Sequence, residues 1–350
     1  MDLGRFLERC ERLQWDPDDL DWSRTPRPLS RADEIAVVQY FTNMAGIERL
    51  AKALFAFQRE MTDEPILRRI FDTFVADEER HAIVAERLAR HYDVHRYRRY
   101  ALDPHLVRFA RAFQDVLHHL SPEIANAYIT AGEILLDIAL LRSLDDYVDD
   151  AMSRQAMRLI NRDESRHIAI DHRMVAYYAS DAYQRWRARQ PPKAALDRLR
   201  GAWAFARFLR CARPFLVAVF FEPMALVDPE GRRLIEAFRR IQLLGLKEEV
   251  QDRPFNRFLR TMQGLFNHPR LGPLAGPLVV RVVGVDPRAL AVLTTEEDVR
   301  RLSTMSFADL AEETLASKEA ARSATAAALV GAQSHATGRG PSGSRGRAGS

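Results

Sequence analysis

Two short words of sequence, ADEERH at residues 76–81 and RDESRH at residues 162–167, decide how this chain is read. Each contains Glu-x-x-His: Glu78 with His81, and Glu164 with His167. Residues three apart share one face of an α-helix, so each word aims a carboxylate and an imidazole at a common point. A single copy would say little, because glutamate and histidine are common on solvated helices. Here the word recurs, each time among apolar residues at helical spacing. Phe71, Phe74, Val75 and Ala82 surround the first, and Met157, Ile160 and Ile168 surround the second.

Each word is preceded by a stretch that carries a lone glutamate on an apolar face. Glu48 has Phe41, Met44, Ala45, Ala51 and Phe55 around it; Glu133 has Ile129, Leu136 and Leu140, with Asn126 as a polar exception. Ser30 and Asp33 open a helix that runs to about residue 60, in the manner of a capping box. TDEP at 62–65 is a break and restart, followed by a second helix to about residue 91. Residues 103–119 read as a connecting helix. A third long helix starts at Ser121-Pro122-Glu123 and fades near 145–150, and a fourth runs to about residue 180.

In an antiparallel helix pair, facing residues lie equally far from the turn. Glu48 and the first word are centred near residue 64, inside TDEP, and Glu133 and the second word near residue 149, inside the second break. All six side chains therefore meet at one level of a predicted bundle. Burying four carboxylates without counter-charge is costly, and two divalent cations neutralise four ionised acids. One Glu from each of two helices, with Glu-x-x-His from each of two others, is the ligand set of di-iron and di-manganese bundles. Oxygen and imidazole donors suit iron or manganese, whereas structural zinc favours cysteine or a closed four-ligand site. The predicted metal ligands are Glu48, Glu78, His81, Glu133, Glu164 and His167.

Two readings stand for Asp77 and Asp163. They hold the outer nitrogens of the histidines, Asp163 on His81 and Asp77 on His167, or they face solvent. Asp137 and Asp171 read as acids on an exposed rim, with an outer proton relay as the alternative. Thr130 reads as a helix threonine bonding its own backbone, or as a hydrogen-bonding group at the metals. The apolar stripe of Phe41, Met44, Phe71, Phe74 and Leu136 fits either a substrate pocket or core packing.

The order Glu, Glu-x-x-His, Glu, Glu-x-x-His resembles the ferritin-like superfamily that includes ribonucleotide reductase small subunits. WDPDDLDWSR at 15–24 is similar to the Trp-x-Pro-x-x-(Ile/Val)-Asp-x-Ser-Arg segment of those subunits. It is closer still to their relatives, the ligand-binding oxidases, which hold a manganese–iron or di-iron site beside a fatty-acid-like ligand. The resemblance covers roughly residues 12–180. It implies an all-α fold, a ferritin-like four-helix bundle with additional C-terminal helices. Glu78 and Glu164 would bridge the metals, Glu48 and Glu133 would be terminal, and each histidine would hold one ion. Trp15 would take the place of the electron-transfer tryptophan, reaching the metals through Asp163 and His81; its alternative is a packing anchor. Tyr128 stands where the oxidases have a tyrosine that crosslinks to valine, but the partner position here is Leu50. Ala85 occupies the position of the reductase radical tyrosine, which argues against a tyrosyl-radical subunit. Glu48 stands where many reductase subunits have aspartate.

The 350 residues are 47% hydrophobic, enough for a sizeable core, and Lys and Arg outnumber Asp and Glu by only 52 to 48. No basic stripe with interleaved aromatics argues for nucleic acid. Cys10 and Cys211 form no redox or metal pair, and the longest apolar run, 215–221, is too short to cross a bilayer. The expected organisation is an irregular N-terminal segment (1–30), the di-metal bundle (31–180), further helices packed on it (181–330) and a disordered tail (331–350). Within 181–330, residues 272–287 read as a short strand or extended cover, and 293–320 as helical. The expected function is a cytoplasmic oxidase or monooxygenase with two iron ions, or one manganese and one iron. It would act on O2 and a small organic or lipid-like substrate with an external electron donor, without membrane insertion, and a homodimer is compatible. The alternatives are an iron-binding or storage protein and a radical-generating subunit.

Overall fold

The computed structural model describes residues 2–313 except Gly284, together with Leu315. The chain is all-helical; no strand occurs among the described residues. The predicted tail at 331–350 lies outside them, as does most of the last predicted helical stretch beyond 313.

Helix α1 (Leu3–Arg12) is followed by a single 3-10 turn, and then by the long pair α2 (Arg31–Glu60) and α3 (Pro65–Tyr92). Ser30 caps α2 by accepting from the Asp33 amide, and Pro65 sits in the first turn of α3 behind the Glu64 cap. The break between them is the predicted one. Helix α4 (Pro104–Leu117) connects to α5 (Pro122–Ile134), capped by Ser121. The helix then continues through a π-helical stretch, Leu135–Leu141, into α6 (Arg142–Val148). Asp149, with φ of 43°, makes the turn in the left-handed region, and Asp150 caps α7 (Ala151–Ala179). Helices α2 and α3 pack along their length, α5 packs on α7, and α2–α5 and α3–α7 contacts close the group.

Helices α8 (Asp181–Arg189), α9 (Ala195–Phe215), α10 (Glu222–Val227), α11 (Arg232–Leu246), α12 (Pro254–Asn267), α13 (Gly272–Val283), α14 (Pro287–Leu290) and α15 (Glu296–Thr304) follow. A second π-helical stretch, Leu216–Phe221, joins α9 to α10. Helix α9 packs on α4, and α11 packs on the π-helical stretch after α5, so the C-terminal region shares the core of the first half.

Two sequence expectations change. Residues 1–30 are not wholly irregular: α1 forms because Asp2 caps it and Phe6, Leu7 and Cys10 bury one side against α3. Nor is 272–287 a strand or cover. Pro273 falls in the first turn of α13, where its missing N–H is not needed. The amide that Pro277 lacks would have bonded back only to that same first turn. A Cβ at Gly272 would come 2.5 Å from the Phe266 carbonyl oxygen, so the tight entry from α12 needs glycine there.

Candidate metal centre

Helices α2, α3, α5 and α7 each deliver part of one buried cluster. Glu48 comes from α2, Glu78 and His81 from α3, Glu133 from α5, and Glu164 and His167 from α7, and all six are buried. They form two overlapping sets of four. Glu48, Glu78, His81 and Glu164 offer ligand atoms within 4.8 Å of one another, and so do Glu78, Glu133, Glu164 and His167. Glu78 and Glu164 belong to both sets. Each set could hold one cation, and the two sets share two carboxylates, with one histidine and one further glutamate each.

The imidazoles are oriented for this. His81 turns Nδ1 inward, 3.2 Å from Glu164 Oε1, and Nε2 outward, 3.3 Å from Asp163 Oδ2. His167 does the same, with Nδ1 3.0 Å from Glu78 Oε1 and Nε2 3.4 Å from Asp77 Oδ2. A proton on each Nε2, accepted by the aspartate, leaves Nδ1 free to bind a cation. Asp77 and Asp163 are fully buried rather than solvent-facing.

The electrostatics of the metal-free cluster is unusual for the same residues. Apart from the two imidazoles, no N–H or hydroxyl donor reaches either oxygen of Glu48 or Glu78, nor Glu133 Oε2 or Glu164 Oε1. Without metal, burial and then the charge on Glu164 push Glu48 up to about 7. Burial and Glu164 also push Glu78 and Glu133 well above the usual carboxylate range. Glu164 goes the other way: burial opposes its charge, but hydrogen bonds from Glu133, His167 and His81 hold it well below that range. Four acids in one dry site cannot all ionise alone, so the metal-free cluster keeps protons on some of them. An orphaned set of buried oxygens with two inward imidazoles fits hard divalent cations.

A second layer of charge encloses the cluster. Arg166, on α7 and fully buried, places one nitrogen 3.0 Å from Asp77 Oδ2 and another 2.8 Å from Asp163 Oδ1. Arg80 lies 2.6 Å from Asp77 Oδ1. Gln14 Nε2 donates to Asp77 Oδ1 at 3.0 Å, and Trp15 Nε1 donates to Asp163 Oδ2 at 2.6 Å. The segment after α1 therefore touches both aspartates. Trp15 is connected to His81 through one carboxylate oxygen, and the Arg80 guanidinium lies 5.4 Å over its ring. Replacing Arg166 by methionine takes the fully buried cation from between the two aspartates, which keep Arg80, Gln14 and Trp15 as partners; the expected loss is about 3 kcal/mol in urea unfolding.

Sequence reasoning did not single out Gln14, Arg80 or Arg166. Both arginines sit inside the two words, where an arginine ordinarily reads as solvent-facing. Only the crossing of α3 and α7 reveals the two aspartates between which Arg166 lies.

Other expected residues fall elsewhere. Asp171 is not on an exposed rim: it is fully buried, and neither carboxylate oxygen has a hydrogen-bond partner. Burial, then Glu164, pushes it well above the usual range. It lies on the same stripe of α7 as Glu164, which faces inward, so an outward position was never open to it. The Asp137 side chain lies outside the described residues. Thr130 donates to the Asn126 carbonyl oxygen at 2.9 Å, the local bonding of a helix threonine. Tyr128 is not brought into the cluster; its ring stands edge-on to Phe208 of α9 at 5.4 Å, and burial pushes its hydroxyl up to about 12.

Phe41, Met44, Phe71 and Phe74 are packed core without any exposed surface, and Phe74 lies 4.3 Å from the His167 ring. The open space is on another side. A cavity of about 70 Å³ lies between α5, α7, α11 and the start of α12, with mostly apolar walls. Asn126, Thr130 and Ile134 line it, which brings it along the helix that carries Glu133. Compared with known proteins, the chain matches no protein-family model and no curated sequence.

Proposed function

We propose that the chain is a ferritin-like di-metal protein that activates oxygen. It would act as an oxidase or monooxygenase with two iron ions, or one manganese and one iron, on a small organic or lipid-like substrate. The observation that carries this is the pair of overlapping ligand sets that share Glu78 and Glu164, each completed by an inward Nδ1. When bound, the metal pair supplies the electrons that reduce O2.

The chain's own groups divide the remaining work. Glu78 and Glu164, which belong to both ligand sets, would hold both ions; Glu48 and His81 would hold one of them, and Glu133 and His167 the other. Asp163 and Asp77 fix the imidazole orientations by accepting from Nε2, and Arg166 balances both aspartates. Phe55 and Phe74, packed against His167, keep water from that side. The cavity beside Thr130 and Ile134 is the place for substrate, since those residues neighbour Glu133 along α5. The hydrogen-bonded route Trp15–Asp163–His81 supports electron entry from an external donor. Ala85, fully buried, offers no phenol for a radical at that position, so the observations favour oxygenation over a tyrosyl-radical subunit.

The test is anaerobic loading with Fe(II), then exposure to air. Two irons per chain, oxygen uptake and a new near-UV or visible absorption are expected. A folded chain that holds two irons yet consumes no oxygen overturns the oxidase reading; one that cannot hold two ions overturns the centre itself. Among the described residues no helix is long and apolar enough to cross a membrane.

A further inference from the structure

Helix α9 has a buried side and another side that no described residue covers. Ala204, Phe208 and Phe215 define its inner face. Leu196, Leu199 and Trp203 follow at helical spacing on the outer face, with 56%, 67% and 73% of their surface exposed. Helix α13 packs beside α9 and adds Leu274 and Leu278, 82% and 63% exposed. Single exposed leucines need no explanation, but two helices in contact that each leave several large apolar side chains in solvent mark a contact surface.

Charge identifies what the row meets. Between residues 193 and 213 the exposed charged side chains are Lys193, Arg198, Arg200, Arg207, Arg210 and Arg213, against Asp197 alone. Arg200 is paired with Asp197 at 3.6 Å, and Arg207 is paired with Asp115. Arg198, Arg210 and Arg213 make no ion pair among the described residues. Leucine and tryptophan flanked by unpaired arginine are what a helix lying in a lipid–water interface presents. Tryptophan settles at head-group level, and arginine reaches lipid phosphate while its stem covers apolar surface. We propose that the outer face of α9, with the adjoining leucines of α13, docks on an anionic lipid surface.

A second copy of the chain is the competing occupant. A two-fold contact through α9 would set the same uncompensated arginines against each other, with one paired aspartate per copy to offset them. An anionic surface relieves that charge instead. The inference stands apart from the metal chemistry, since none of these side chains reaches the cluster.

The full-length protein should sediment with vesicles of mixed phosphatidylglycerol and phosphatidylcholine and not with phosphatidylcholine alone. Binding should weaken as salt rises. Leu199→Ser with Trp203→Ser, and separately Arg210→Glu with Arg213→Glu, should each reduce the bound fraction by roughly tenfold or more, at unchanged helicity. Failure to bind acidic vesicles at low salt overturns the proposal, and so does equal binding to neutral ones. A change in oligomeric mass in these variants, with vesicle binding intact, also overturns it and gives the face to a second copy.

Discussion

Glu78→Gln and Glu164→Gln are each expected to empty both metal positions, whereas Glu48→Gln and Glu133→Gln should each empty one. The difference follows from membership: Glu78 and Glu164 belong to both ligand sets, Glu48 only to the set with His81, and Glu133 only to the set with His167. Glutamine keeps the volume of the side chain, so packing changes little while a negative charge is lost. Residues that merely support ligands typically change affinity about 10- to 100-fold, so a shared ligand should cost about 100-fold or more. The two shared acids should also part company in the metal-free chain. Glu78, raised by burial and by three neighbouring acids, is a source of repulsion, and its replacement should leave the metal-free melting temperature equal or higher. Glu164 is the acid held ionised by its neighbours, so its replacement should lower that temperature. Elemental analysis after equilibration with Fe(II) or Mn(II), together with thermal melts, gives both readings. A Glu78→Gln chain that still holds two ions, or a Glu48→Gln chain that holds none, would remove the shared-carboxylate arrangement.

The cluster was legible because its signals are local and periodic. Glu-x-x-His is a three-residue spacing, and the level at which Glu48 meets Glu78 follows from the break at TDEP. The long helices were equally plain, because Ser30, Pro65 and Ser121 mark their starts. What stayed hidden depends on which helix crosses which. Arg166 reads as a solvated arginine until α3 brings Asp77 to it, and Gln14 has no signal until α1 docks on α3. Asp171 was misjudged as an exposed acid although it shares the stripe of Glu164, because how far along α7 the core extends depends on the neighbouring helices. The π-helical stretch after Glu133 leaves no mark in an apolar run such as LLDIALL, where one extra residue per turn still buries leucine. Such turns often occur beside functional groups, and here the stretch starts two residues past Glu133. Helix α13 was missed because valine, glycine and proline weigh against helix, while its docking beside α12 and α9 is a tertiary effect.

Without metal the chain should lose stability as pH rises from about 7 to about 9, and metal should abolish or reverse that trend. The sign rests on which state holds more protons. Burial and Glu164 raise Glu48 only to about 7, so its excess proton is released mostly below this window, while the same causes push Glu78, Glu133 and Asp171 well above the usual carboxylate range. Burial opposes charge on His81, but hydrogen bonds from it to Asp163 and Glu164 raise it to about 10, and His167 is raised as well. Unfolded, the acids titrate near 4.5 and the imidazoles near 6.5, so above about pH 7 the unfolded chain has released protons that the folded chain still holds. Each such group lowers the unfolding free energy by up to about 1.4 kcal/mol per pH unit. The groups with depressed values do not cancel this. Glu164, Asp77 and Asp163 are ionised in both states across the window, and His172, lowered to about 4 by burial, is neutral in both. Bound cations displace the protons, so affinity should rise with pH and protons should be released on loading. Urea unfolding of metal-free and metal-loaded protein at several pH values separates the two cases. A metal-free chain whose stability is flat or rises across this range would mean that the buried carboxylates hold no excess protons, and the argument that this site requires cations would fail with it.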